Sequence, residues 1–139
     1  MAKLQLAVVT AEGESFSGEV DMVVAPGGLG EFTVLPSHAR MISTLAAGVL
    51  RFDQGADSVS LAMSGGFLEV SDNRVTVLAD AAERDDAIDL ERAEIALARA
   101  QERIAGTTAD MDLERATTAL RRARVRVNLG RRRRDRGLS

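Results

Sequence analysis

Residues 75–104 read VTVLADAAERDDAIDLERAEIALARAQERI, and a change of character inside that stretch decides the architecture. Val75, Val77 and Ala79 recur at every second position, the period of a strand with one buried face. After Ala82 glycine and proline vanish until Gly106, and Ala, Glu, Arg and Leu take over, all strong helix formers. A β half therefore gives way to a helical half near residue 84.

The strand pattern extends back to Leu4, with Val59, Leu61 and Met63 alternating in the same way. Turn dipeptides punctuate it at Glu12-Gly13, Ser17-Gly18, Pro26-Gly27, Pro36-Ser37, Ala47-Gly48, Gln54-Gly55, Gly65-Gly66 and Asp72-Asn73. Short, evenly spaced strands over residues 1–84 predict an all-β sandwich or barrel, with the antiparallel β-sandwich as the expected form.

On the helical side, DLERA at 89–93 recurs at 112–116. Leu90, Ala93, Leu97, Ala100 and Ile104 are matched by Leu113, Ala116, Leu120, Ala123 and Val127, each set running along one helix face. Two such narrow seams predict an antiparallel two-helix hairpin over 85–130, joined near Gly106-Thr107-Thr108. Asp86 or Asp89 would cap the first helix, and Asp110 or Asp112 the second. Gly130 is expected to end the second helix, leaving 131–139 as a basic flexible tail. Several seam residues are alanine, so at about 25 cal/mol per Å² the hairpin gains only a few kcal/mol. A partner can open a hairpin so weakly held, and a ligand can lock it.

The chain has 139 residues and 45% hydrophobic content, enough for a packed core. It has no cysteine and one histidine, which argues against disulfide, thiolate-metal and zinc chemistry. The absence of a signal-like or membrane-length apolar run predicts a soluble, cytoplasmic protein. Residues 1–114 carry 8 basic and 20 acidic groups, and the last 25 residues carry ten arginines against one aspartate, so a balance of −12 is followed by +9. The two ends suit different partners.

No catalytic constellation emerges. Gly27-Gly28-Leu29-Gly30 lacks the Lys-Ser/Thr ending of a phosphate loop and leads into strand-like residues, so it reads as a β-turn. His38 has no nucleophile or carboxylate at a telling spacing, and Ser64-Gly65-Gly66 is not a nucleophile elbow.

Four stretches in order, VVAPGGLGEFTVLPSHA (23–39), SGGFLEV (64–70), VTVLADAAER (75–84) and IDLERA (88–93), resemble the epsilon-subunit family of bacterial F-type ATP synthases, with similarity reaching about Leu129. The resemblance implies a non-catalytic rotor subunit without a metal or a required cofactor, peripheral on the cytoplasmic face of the membrane. Its sandwich would bind the gamma subunit and the c-ring, with Glu31 and His38 as interface candidates. Its hairpin would extend towards the alpha/beta hexamer and hinder ATP hydrolysis, with Arg115, Arg121, Arg122, Arg124 and Arg126 as candidate contacts. Some bacterial members bind ATP as a regulatory ligand on the folded hairpin. Their motif, Ile or Leu, Asp, two free positions, Arg and Ala, is matched by Ile88, Asp89, Arg92 and Ala93. Glu83, Arg99, Arg122 and Arg126 stand at the accompanying positions.

The arginine forks suit phosphate oxygens. The same letters at Asp112 and Arg115 also make a good helix beginning, so the motif is partly explained without a ligand. Two other classes compete: a stand-alone ATP sensor, and a nucleic-acid binder using the terminal arginines. The absence of Trp and Tyr, with four Phe, leaves the latter little for base stacking.

Overall fold

The computed structural model describes residues 2–106 and 110–137. They form two compact units, Met1–Arg84 and Asp85–Ser139.

In the first unit ten strands run β1 (Leu4–Thr10), β2 (Gly13–Val20), β3 (Met22–Gly27), β4 (Gly30–Val34), β5 (Met41–Leu45), β6 (Gly48–Gln54), β7 (Asp57–Met63), β8 (Gly66–Ser71), β9 (Arg74–Ala79) and β10 (Ala82–Arg84). Hydrogen bonds order them β10-β7-β6-β3-β5-β8-β9-β1-β2, with β4 beside β3. β3 and β5 share only the Gly27 to Leu45 register, so the sheet bends there. The fold then brings Phe16 of β2 onto Phe52 of β6, ring centroids 4.3 Å apart. Pairing is antiparallel except between β1 and β9, which run parallel.

Alternation fills the space between the layers. Leu4, Leu6 and Val8, with Val75, Val77 and Ala79, point inward and join Val23, Leu50, Phe52, Leu68 and Val70 in one apolar core. Strand β10 (AER) falls within the predicted sandwich span although its residues favour helix. Tertiary pairing overrides that preference, with Ala82 opposite Met63 and Arg84 opposite Leu61.

Asp21 ties three loops together. Its carboxylate accepts from Lys3 Nζ at 2.9 Å and from the Gly55 amide at 2.6 Å. The hydrogen bond from Lys3 is the larger cause and the Gly55 amide the next, and together they hold this carboxyl below the usual carboxylate range. A lowered folded-state pKa adds stability above the ordinary range, and that stability is lost as pH falls through the lowered value. Asp21→Asn should therefore melt below wild type at neutral pH, the two curves converging as pH falls through that lowered value. A gap that persists unchanged in acid would show that the charge contributes nothing.

The second unit holds a 3-10 turn at Asp85–Ala87, helix α1 (Leu90–Gly106) and helix α2 (Asp110–Gly137). Thr107, Thr108 and the side chains of Asp110 and Asp112 lie outside the described residues, so the expected connection and second cap are not described. Ala93, Ala100, Ala116, Ala123 and Val127 are buried along the seams. At the open end of the hairpin, a Cβ on Gly130 would stand 3.2 Å from Ile88 Cγ2 and from Leu90 Cδ1. With Leu90 level with Gly130 in an antiparallel pair, Ala93 falls level with Val127, Leu97 with Ala123, Ala100 with Leu120, and Ile104 with Ala116. Every layer sets a large residue against a small one.

This corrects one expectation. Gly130 does not end the second helix, and 131–137 are not a tail: α2 continues to Gly137. A glycine inside a helix costs roughly 0.5–1 kcal/mol relative to alanine. Here it allows the close approach of Ile88 and Leu90, and the arginines beyond it find carboxylates. Arg131 reaches Glu94 at 3.3 Å, and Arg133 reaches Asp85 and Asp86 at 3.8 and 4.0 Å.

Candidate functional site

The start of α1 is built by Asp89. Its Oδ1 accepts from the Arg92 amide at 3.1 Å and its carbonyl accepts from the Ala93 amide at 2.9 Å, so Asp89, rather than Asp86, is the cap. Two of the motif positions have structural work: Ala93 is fully buried in the seam and Ile88 lies against Gly130. Asp89 and Arg92 are exposed and remain available to a ligand. Glu83 belongs to the first unit, on β10 opposite Ala62, and is not part of the hairpin's own surface.

Both helices carry their arginines in a common relation to the seam. Arg92 and Arg99 immediately precede buried Ala93 and Ala100, and Arg115, Arg122 and Arg126 immediately precede buried Ala116, Ala123 and Val127. Glu94 follows Ala93, Arg131 follows Gly130, and these two followers meet in an ion pair. In an antiparallel pair the followers thus share one flank of the seam, and the preceding residues share the other. The second flank gathers Asp89, Arg92, Arg99, Arg115, Arg122 and Arg126. Arg121 and Arg124 follow seam residues and lie on the first flank. The predicted arginines therefore divide into two sets. One of the two sets draws its guanidinium groups from both helices, and guanidinium forks are suited to phosphate oxygens.

On the sandwich, Glu31 and His38 are not neighbours. Glu31 pairs with Pro26 beside the β3–β4 tip, whose Gly28 amide donates to the Thr44 carbonyl at 3.0 Å. The segment holding His38 lies past the other end of β4, where the Ser37 amide donates to Asn73 Oδ1 at 2.6 Å, beside the β8–β9 turn. His38 is engaged locally: its amide donates to the Leu35 carbonyl at 3.1 Å, and Nδ1 lies 2.6 Å from the Ala39 carbonyl oxygen. Two separate ends of the sandwich are marked. Leu29, fully exposed, projects at the Glu31 end.

Sequence reasoning missed an apolar outer face. Ile42, Phe67 and Leu78 are 75%, 55% and 55% exposed, and the registers Thr44–Phe67–Leu78 and Ile42–Glu69–Thr76 set them on adjoining strands. The signal was present, since Leu78 falls in the outward phase of VTVLA, out of step with Val75 and Val77. Among the described residues, no group of three or more His, Asp or Glu is arranged to hold a metal ion.

Comparison with known proteins adds family models and relatives to this geometry. The model described as ATP synthase, Delta/Epsilon chain, beta-sandwich domain matches residues 3–85, and that described as the long alpha-helix domain matches 86–129. The ATP synthase epsilon chain of Desulforamulus reducens is 51% identical over 105 residues, covering 75% of this chain and 80% of that one. That of Dehalococcoides mccartyi is 53% identical, covering 76% and 75%. Among solved structures, a chain of the Euglena gracilis mitochondrial ATP synthase OSCP/F1/c-ring assembly superimposes with a TM-score of 0.77 at 23% identity, covering 87% of this chain and 77% of its own. A chain of the Tetrahymena thermophila mitochondrial ATP synthase central stalk/c-ring superimposes with a TM-score of 0.69 at 12% identity, covering 93% and 97%.

Proposed function

This chain belongs to the ATP synthase delta/epsilon family, with the bacterial epsilon chains as its relatives, and from that premise we propose that it works as a central-stalk rotor subunit with a movable regulatory hairpin. It is a non-catalytic subunit of the complex. The exposed Ile42, Phe67 and Leu78 face suits docking on the gamma subunit, and the projecting Leu29 with Glu31 suits contact with the c-ring. No described helix is long and apolar enough to cross a membrane. Attachment to the cytoplasmic face of the membrane then runs through the complex.

The observation that carries the regulatory reading is the seam itself. Its buried positions are mostly alanines, and cationic residues flank it on both sides. Such a hairpin parts at small cost, and its arginines then meet acidic surfaces of the alpha/beta hexamer and hinder hydrolysis. ATP bridging Arg92 and Arg99 on α1 to Arg122 and Arg126 on α2 favours the closed form through its differential affinity for it. Asp89, with one carboxylate oxygen already serving the cap, offers the other to the adenine amine.

The test compares complexes assembled with the full chain and with a chain lacking residues from Ile88 onward. Hydrolysis should rise several-fold on truncation. In the isolated full chain, Arg122→Ala with Arg126→Ala should weaken ATP binding roughly tenfold or more, the worth of one charge-assisted hydrogen bond of about 1.5–3 kcal/mol. Arg121→Ala with Arg124→Ala, on the other flank, should leave it unchanged. Equal hydrolysis rates with and without the hairpin would remove the regulatory reading, and equal losses from the two arginine pairs would remove the ligand site.

A further inference from the structure

We propose that the end of α2 beyond the span shared with the family's helix domain is a latch that clamps the open end of the hairpin from both sides. The family model ends at residue 129, whereas α2 runs on to Gly137. At the junction Gly130 is buried against Ile88 and Leu90, and a Cβ there would stand 3.2 Å from each, so the two segments approach more closely than a side chain ordinarily allows. The next residues use that proximity.

Arg131 follows the seam glycine and donates to Glu94 Oε1 through both Nε at 3.4 Å and Nη2 at 3.3 Å. Arg133, on the opposite flank, sets Nη1 3.8 Å from Asp85 Oδ1 and 4.0 Å from Asp86 Oδ2. One arginine thus grips α1 and the other grips the 3-10 turn that precedes it, on either side of Gly130. Each pair is at least partly open to solvent and weak by itself. All of them break together when the helices part, so they add in favour of one state.

An electrostatic clamp on a marginal seam makes closure depend on ionic strength. It also gives acidic surfaces a way to open the hairpin, by competing with Asp85, Asp86 and Glu94 for the same arginines. The latch rests on the reading that the hairpin opens in use, but it is measured separately from hydrolysis. If exchange reveals the latch while truncation leaves hydrolysis unchanged, the clamp stands and the regulatory reading falls.

The measurement is amide hydrogen exchange on the full chain at low and high salt. Arg131→Gln with Arg133→Gln should raise exchange in α1 and in the 123–129 segment of α2 roughly threefold to tenfold at low salt. The difference should vanish near 1 M salt, where the screening length is about 3 Å. Exchanging the charges, Glu94→Arg with Arg131→Glu, should restore protection relative to Glu94→Arg alone. Faster exchange confined to residues beyond Leu129 would mean mere fraying of the helix end and would overturn the latch, as would unchanged exchange in α1 or a charge swap without rescue.

Discussion

Gly66→Ala is expected to unfold the sandwich unit at temperatures where wild type is intact. Gly66 begins β8 with φ 143°, and a Cβ there would fall onto the Leu78 carbonyl oxygen and 2.9 Å from Ala79 Cα. Both obstacles are backbone. They cannot swing aside, because Gly66 pairs with Ala79 on β9 and with Leu45 on β5. The strained φ costs roughly 1–3 kcal/mol and the overlap about as much again, so ~4 kcal/mol is a central figure. A unit of this size holds only about 4–13 kcal/mol in all. Thermal unfolding should show a Tm lower by roughly 15 °C or more. Gly13→Ala separates the two causes, because Gly13 has a φ of 124° with nothing within 4 Å of the added carbon. It should lose only the strain. A Gly66→Ala chain melting within about 5 °C of wild type would show that β8 shifts freely, contrary to its pairing on both sides.

Phe52→Ala should cost about 3–5 kcal/mol. The ring is fully buried and tilted at 37° against Phe16, which it holds over the core where β2 meets β6. Removing it forfeits the burial, leaves a cavity and takes away the partner of Phe16. Urea unfolding should give a lower midpoint with an unchanged slope, the sign of lost stability without an altered unfolded state. A cost below about 1 kcal/mol would mean that the layers collapse onto the space. The contrast with Phe67 makes the measurement informative about function. Phe67 is the same residue type, but 55% exposed on the outer face. Phe67→Ala should leave stability within about 0.5 kcal/mol while weakening association with the gamma subunit. One phenylalanine holds the unit together and the other lies open on its outer face.

Several features of the site could be read from residue order. The repeated DLERA, the three-then-four spacing of the seams and the arginines beside them all follow from helical geometry, which is local. The end of α2 was misread for a different reason. Gly130 is a terminator by its own preference, and only the nearness of Ile88 and Leu90 turns it into a packing residue. The carboxylates of Asp85, Asp86 and Glu94, distant in the chain, then hold the arginines beyond it. In the same way Ala82-Glu83-Arg84 becomes a strand because β7 offers it an edge.

The alternation of Val75, Val77 and Ala79, the turn residues and the switch of period after Ala82 determined by themselves that a β unit precedes a helical hairpin, because periodicity records which side of each element must leave water. Only the tertiary structure decided that Glu31 and His38 lie at separate ends of the sandwich, that Ile42, Phe67 and Leu78 join into one outer face, and that arginines from both helices share one flank of the seam. Each of these depends on register between segments distant in the chain, and register is set by mutual packing that no single segment specifies.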